Sequence, residues 1–230
     1  MRSEREGANG RPRSAWLRGG VAAGLLAGLS MGAGCTTIRA SSYGRLYLAD
    51  ELAPAERGQL GVLEPQSGRW SSVVVDEQGA PRDVIEQQAQ GAKDDFNVAL
   101  LTGVEIADGE LAVDFRAIDG EIDQGGGLVW RARDGRNYFL ARWNPLEKNL
   151  RAYVVIDGKR EQFASEKVEL ADGWHRMAVR FAGERVQVAL DGKWCLDATR
   201  APGELASGRV GLWTKADART QFDELRWQDG

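Results

Sequence analysis

The sequence predicts an all-β fold, a jelly roll of two stacked antiparallel sheets. Three observations carry that reading. From Gly58 onward, short runs with period-two alternation of apolar and polar residues are bounded by Gly, Asp and Asn. Asp-Gly pairs at Asp157-Gly158 and Asp191-Gly192 separate such runs as tight hairpin turns do. The strands number about a dozen, which two packed sheets accommodate.

In chain order, the predicted strands are Trp70 to Val75, Asp83 to Gln88, Asn97 to Leu101, Glu110 to Ala117, Gly127 to Arg133 and Tyr138 to Trp143. The runs "LRAYVVI" and "KREQFA" flank Asp157-Gly158, and "HRMAVRF" meets "RVQVAL" across Ala182-Gly183-Glu184. "KWCLDA", Arg209 to Thr214 and Gln221 to Trp227 complete the series. With Asp134 to Asn137 as a loop, Arg133 pairs with Tyr138 and the two faces separate. One face carries Leu128, Trp130, Ala132, Phe139, Ala141, Trp143, Leu150, Ala152 and Val154, and it is the core. The other carries Val129, Arg131, Arg133, Tyr138, Leu140, Arg142, Arg151, Tyr153 and Val155, and it is expected to meet water or a ligand. In "GRVGLWTKAD", Val210 and Leu212 point inward while Trp213 and Lys215 point outward, with Gly211 leaving room for something to approach. Met177, Val179, Phe181, Val186, Val188 and Leu190 are core, and Arg176, Arg180, Arg185 and Gln187 form a solvated surface.

Ahead of the domain, residues 1–34 read as a signal peptide, with Arg2, Arg5, Arg11, Arg13 and Arg18 preceding an apolar run from Val21 to Gly34. That run is about 14 residues, too short to span a bilayer as a helix. "SMGAGC" is similar to a bacterial lipobox and makes Cys35 the expected acylated residue, although Gly32 stands where Leu is usual. Residues 35–57 read as a tether with a short helix near Leu48 to Arg57, and 58–230 as the domain. The expected location is a membrane-anchored lipoprotein facing the periplasm or the surface, or otherwise a secreted protein. Cys195 is the other cysteine, so no disulfide framework exists. Without the leader the chain carries about seven net negative charges, which speaks against nucleic acid as a partner.

In order along the chain, "DDFNVALL", "GELAVDFRAIDGEIDQGGGLVWRARDGRNYFLARWNPLEKNLRAYVVIDGKR", "GWHRMAVRF", "VQVALDGKWCLDA" and "GRVGLWTKADARTQFDELRW" resemble the concanavalin A-like lectin/glucanase superfamily. They are most similar to bacterial domains first labelled a domain of unknown function, later 3-keto-disaccharide hydrolase domains, and often grouped with family 16 glycoside hydrolases. The resemblance spans Gly58 to Gln228. It implies a curved jelly roll whose concave face handles carbohydrate, in a superfamily of enzymes, lectins and adhesive modules alike.

Glu121-Ile122-Asp123 begins like a family 16 glucanase signature, yet Gln124, Gly125, Gly126 and Gly127 follow and no second glutamate appears. A retaining glycosidase needs a nucleophile and a separate acid/base, so the triplet reads as a polar connection between strands. His175, the single histidine, excludes a multi-histidine zinc site and reads as structural. No cofactor is expected; a structural calcium is left open because it needs only oxygens, with Asp119, Asp123, Asn144, Glu147 and Asp223 in loops or strand ends. The candidate binding residues are Arg131, Tyr138, Arg142, Arg151, Tyr153, Trp213 and Lys215: guanidinium forks grip hydroxyls or carboxylates, and aromatic rings stack on sugar faces. The bland alternative is that these stems merely cover a sheet. The favoured function is a non-catalytic carbohydrate-binding module. The alternatives are a hydrolase or lyase acting on a modified disaccharide, with groups drawn from Asp114, Glu121, Asp123, Glu147 and Tyr138, and an interaction module of the cell envelope.

Overall fold

The computed structural model describes residues 47–48, 62–88 and 91–230. The expected leader, the Cys35 lipidation site and nearly all of the tether lie outside the described residues. Fifteen strands are described: β1 (Tyr47–Leu48), β2 (Val62–Pro65), β3 (Trp70–Glu77), β4 (Ala80–Gln87), β5 (Phe96–Leu101), β6 (Gly109–Asp119), β7 (Gly126–Asp134) and β8 (Asn137–Asn144). They continue as β9 (Asn149–Ile156), β10 (Lys159–Lys167), β11 (His175–Ala182), β12 (Arg185–Leu190), β13 (Lys193–Thr199), β14 (Arg209–Lys215) and β15 (Arg219–Asp229). Every strand that the alternation predicts is present. Two were not predicted: β2 is only four residues and ends in Pro65, and β1 places Leu48, expected at the start of a helix, in a strand.

One sheet has the order β1-β2-β5-β14-β7-β8-β9-β10 and the other β13-β12-β11-β6-β15-β4-β3. All pairings are antiparallel except β1 with β2. The fold is therefore the expected two-sheet jelly-roll sandwich. Its core joins both inner faces, with Leu128, Trp130, Phe139, Trp143, Leu150 and Leu212 from one sheet meeting Val113, Phe115, Met177, Val179, Phe181 and Val188 from the other. Trp130 fixes the spacing by stacking on Phe139 at 5.7 Å within its own sheet and on Phe181 at 5.8 Å across the sandwich. Full burial of each such side chain contributes roughly 1.5–3 kcal/mol.

The expectation of a solvated outer face on the eight-stranded sheet is overturned. Val98, Leu100, Val129, Ala132, Tyr138, Leu140, Tyr153, Val155 and Trp213 form a second buried cluster on that face. Curvature brings distant strands together there. β5 and β10 are five positions apart, about 24 Å in a flat sheet. The guanidinium of Arg160 on β10 nevertheless lies 5.3 Å from the Phe96 ring on β5, 5.8 Å from Trp213 and 4.3 Å from Tyr153. At the tip of the β7–β8 hairpin, a Cβ on Gly135 would come within 2.8 Å of the Gln66 Cβ. The eight-stranded sheet thus curls until its hairpin tips meet the loop after β2.

A bulge accompanies the curl. Between the pairs Trp130–Phe139 and Asp134–Asn137, β7 has two more residues than β8, and Arg131 has φ = 50°. The hairpin loop is the two residues Gly135-Arg136, so Arg133 and Tyr138 are not the simple pair that alternation suggests. Ala132, expected in the core, moves to the second cluster for the same reason. Gly211 also has a different role: a Cβ there would meet the Ala99 carbonyl at 2.1 Å, so what approaches it is the neighbouring strand.

Candidate functional site

Two turns at one end of the curled sheet gather charged groups around Arg142. The β8–β9 turn is closed by Asn144, whose Oδ1 accepts the Leu146 N–H at 2.9 Å, and Lys148 takes φ = 51° to reverse the chain. This returns Glu147 over the concave face. Arg142, 1% exposed, donates from Nη1 to Asn149 Oδ1 and from Nη2 to Glu147 Oε2 at 2.6 Å and the Tyr153 hydroxyl at 3.3 Å. Its Nε is buried without a hydrogen-bond partner. Arg151 reaches the same Glu147 oxygen at 3.1 Å, and Asn149 Nδ2 donates to it at 3.2 Å.

The β6–β7 loop adds Asp123, 4% exposed, whose Oδ1 accepts the Gly125 N–H at 2.7 Å. Asp123 and Glu147 are pushed in opposite directions. Burial raises the Asp123 pKa against the opposing pull of the Gly125 N–H, Arg142 and Lys215. For Glu147, burial would also raise the pKa, but it is half-exposed and its hydrogen bond and attraction to Arg142, helped by Asn149 and Arg151, hold it below the ordinary range. The two carboxyl groups of the cluster are therefore shifted in opposite directions, Asp123 up by burial and Glu147 down by Arg142.

Of the predicted residues, the structure brings Arg142, Arg151, Tyr153 and Lys215 into this cluster. Tyr138 and Trp213 lie deeper, both fully buried, with Trp213 Nε1 donating to the Tyr138 hydroxyl at 3.2 Å. Burial is the largest influence on the Tyr138 phenol and pushes its pKa up, against the Trp213 hydrogen bond. The expectation that these two rings face water is corrected: they hold the curl. Arg131 leaves the face altogether. The bulge turns it so that Nε donates to the Ala107 carbonyl at 2.6 Å while Nη2 meets Asp108 at 2.8 Å and the Gly183 carbonyl at 3.0 Å. Sequence reasoning missed Asn149 and Arg160 as members of this face, because an Arg before "EQF" in a hairpin arm has no local mark of its role.

The alternative catalytic set is divided by the fold. Asp114 is on the outer face of the seven-stranded sheet, engaged by Arg176 at 2.6 and 2.9 Å, and Glu121 is exposed in the β6–β7 loop. Asp123 and Glu147 remain near one another through Arg142. His175 has both ring nitrogens engaged, Nδ1 with Asp191 Oδ2 at 2.8 Å and Nε2 with the Ala171 carbonyl at 2.7 Å, as a structural histidine does. Cys195 is a free, partly buried thiol packed against the core. Among the described residues, no group of three or more His, Cys, Asp or Glu is placed to hold a metal, and no helix is long and apolar enough to cross a membrane.

No family model matches the sequence, and no curated protein matches it. Solved structures do. The carbohydrate-binding module CBM66 from Bacillus subtilis aligns with TM-score 0.54 at 18% identity, covering 69% of this chain and 94% of that one. A Bacillus subtilis protein of unknown function with a galectin-like fold aligns at 0.49 and 12% identity, covering 70% and 88%. The GH43 BlXynB protein from Bacillus licheniformis aligns at 0.48 and 12% identity, with 63% of this chain covering 32% of that one. The chain shares the two-sheet jelly-roll fold of the CBM66 module. At these identities the likeness defines the architecture and leaves the ligand to the site itself.

Proposed function

We propose that this domain is a non-catalytic carbohydrate-binding module whose site is the cluster of Asp123, Arg142, Glu147, Asn149, Arg151, Tyr153 and Lys215. The observation that carries the proposal is Arg142. A guanidinium this deeply buried is normally saturated, yet its Nε has no partner while its Nη groups hold Glu147 and Asn149 in place. The Nη hydrogens are taken by Asn149, Glu147 and Tyr153, so a sugar hydroxyl or carboxylate oxygen would supply the one acceptor that Nε lacks, and Glu147 with Asn149 supply further acceptors and donors. Arg142, Arg151 and Lys215 outnumber Asp123 and Glu147, which favours an acidic or oxidised glycan over a neutral one. Cys35 would anchor the module to the envelope membrane as a lipoprotein.

The test is a glycan array of neutral and acidic oligosaccharides, with a reducing-sugar assay on every glycan that binds. Binding by the wild type that is lost in Arg142→Ala together with Arg151→Ala supports the site. Binding unchanged in the double variant refutes it. A second reading, hydrolysis of a modified disaccharide, draws on the presence of two carboxyl groups at one site, the buried Asp123 and the half-exposed Glu147, because glycoside cleavage uses a carboxyl pair. New reducing ends that disappear in Glu147→Gln would establish that reading and displace the first.

A further inference from the structure

The β6–β7 loop is held by a single carboxylate from elsewhere in the chain. Asp217, in the turn between β14 and β15, accepts the N–H of Glu121 at 2.8 Å, of Ile122 at 3.0 Å and of Asp123 at 3.0 Å. Three successive backbone donors converging on one anion form an anion-binding concavity, occupied here by a side chain. Those hydrogen bonds hold the Asp217 pKa down although burial, the largest single influence, acts to raise it. The loop enters through Gly120 at φ = 142°, where a Cβ would come 1.9 Å from the Asp123 carbonyl, so no other residue fits without moving the loop. At the far side of the loop, the Asp123 carboxyl turns back onto the Gly125 N–H at 2.7 Å and is buried, within the electrostatic reach of Arg142. Asp217 also lies two residues beyond Lys215, so one turn carries both a cationic member of the cluster and the group that sets its buried acid.

We propose that Asp217 is the positioning residue of the binding site, folding the β6–β7 loop in advance so that the Asp123 carboxyl is already buried and turned onto the Gly125 N–H when ligand arrives. The idea rests on the carbohydrate reading for its ligand, although the loop geometry stands apart from it. Pre-ordering the loop removes an entropic cost that binding would otherwise carry. An amide at position 217 keeps one accepting oxygen but turns an N–H toward the remaining donors, so Asp217→Asn is a partial replacement and Asp217→Ala removes the anchor.

The experiment compares wild type, Asp217→Ala and Asp217→Asn with Asp76→Ala as control. Asp76 performs the same kind of turn closure, accepting the Gly79 N–H at 2.8 Å, in the β3–β4 hairpin on the other sheet. Amide exchange of residues 121–123 should quicken about tenfold or more in Asp217→Ala, less in Asp217→Asn, and not at all in the control. The side-chain carboxyl resonance of Asp123 should move in the same order. With trigalacturonate as acidic probe and cellotriose as neutral probe, affinity should fall about tenfold in Asp217→Ala, recover partly in Asp217→Asn and be unchanged in Asp76→Ala. Unchanged exchange at 121–123 overturns the proposal, as does unchanged affinity of Asp217→Ala for a probe that the wild type binds. Wild type binding neither sugar counts against the carbohydrate reading, and the exchange and resonance measurements then decide the role of Asp217 alone.

Discussion

The outer faces of the two sheets start from similar residues and end in different states. On the seven-stranded sheet, arginines stand opposite acids on neighbouring strands: Arg176 with Asp114 at 2.6 Å, Arg180 with Glu110 at 2.8 Å and Arg185 with Asp197 at 2.6 Å, all with exposed guanidinium groups. On the eight-stranded sheet, Arg142 is 1% exposed and sits beside buried Tyr153, with Tyr138 and Trp213 buried on the same face. The first face is a solvated ladder that covers the sheet; the second is a curled surface that takes charge and aromatic rings out of water together. Desolvated charges are the ones whose pairing is worth most to function and costs most to break, so the candidate site lies on the second face.

The contrast can be broken by mutation, beginning with its largest consequence. Trp213→Ala should lower unfolding stability by about 3–5 kcal/mol in chemical denaturation, because it empties a filled cluster and strands the Tyr138 hydroxyl. A loss no greater than that of a surface residue would mean that the second cluster is not a core. Arg142→Ala should cost about 3 kcal/mol by the same measurement, since it leaves Asn149 and one side of Glu147 without their partner.

Glu147→Gln should have a smaller effect, about 1 kcal/mol at neutral pH given the exposure of the carboxylate. Its pH dependence has a defined sign. The folded-state pKa of Glu147 is lowered, so its contribution is present above the unfolded value and is lost as pH falls through the folded one. Wild type and Glu147→Gln should therefore converge in thermal melts only once pH falls below the ordinary carboxylate range. Asp123→Asn should show the reverse sign. A raised folded pKa stabilises at low pH and ceases to do so as pH rises through it, so the variant should melt slightly above wild type at pH 7 and match it in acid. The smallest effect is expected on the opposite sheet, where Arg180→Ala should change stability by less than about 1 kcal/mol and leave glycan binding intact.

Much of this arrangement was legible in the residues. Alternation assigned Leu128, Trp130, Phe139, Trp143 and Leu150 to the core, and Met177, Val179, Phe181, Val186, Val188 and Leu190 opposite them, as the structure has it. The missing second glutamate after "EID" correctly marked that stretch as a connection, and Asp123 within it became important only through Arg142 on β8. Arg131 and Arg142 had looked equivalent because both lie on one side of a period-two pattern. A bulge that adds two residues to β7 sends one to the loop carbonyls and leaves the other on the concave face.

By itself, then, the sequence determined thirteen of the fifteen described strands, most of the turns and, where no bulge intervenes, the partition of each strand into two sides, because these depend on neighbours one or two residues away. It also supplied the arginines and aromatic rings from which a binding face is made. Whether the non-core side meets water was decided only by the tertiary structure. That depends on curvature summed over strands such as β5 and β10, whose residues meet across more than 60 positions of chain, as Arg160 over Phe96 does.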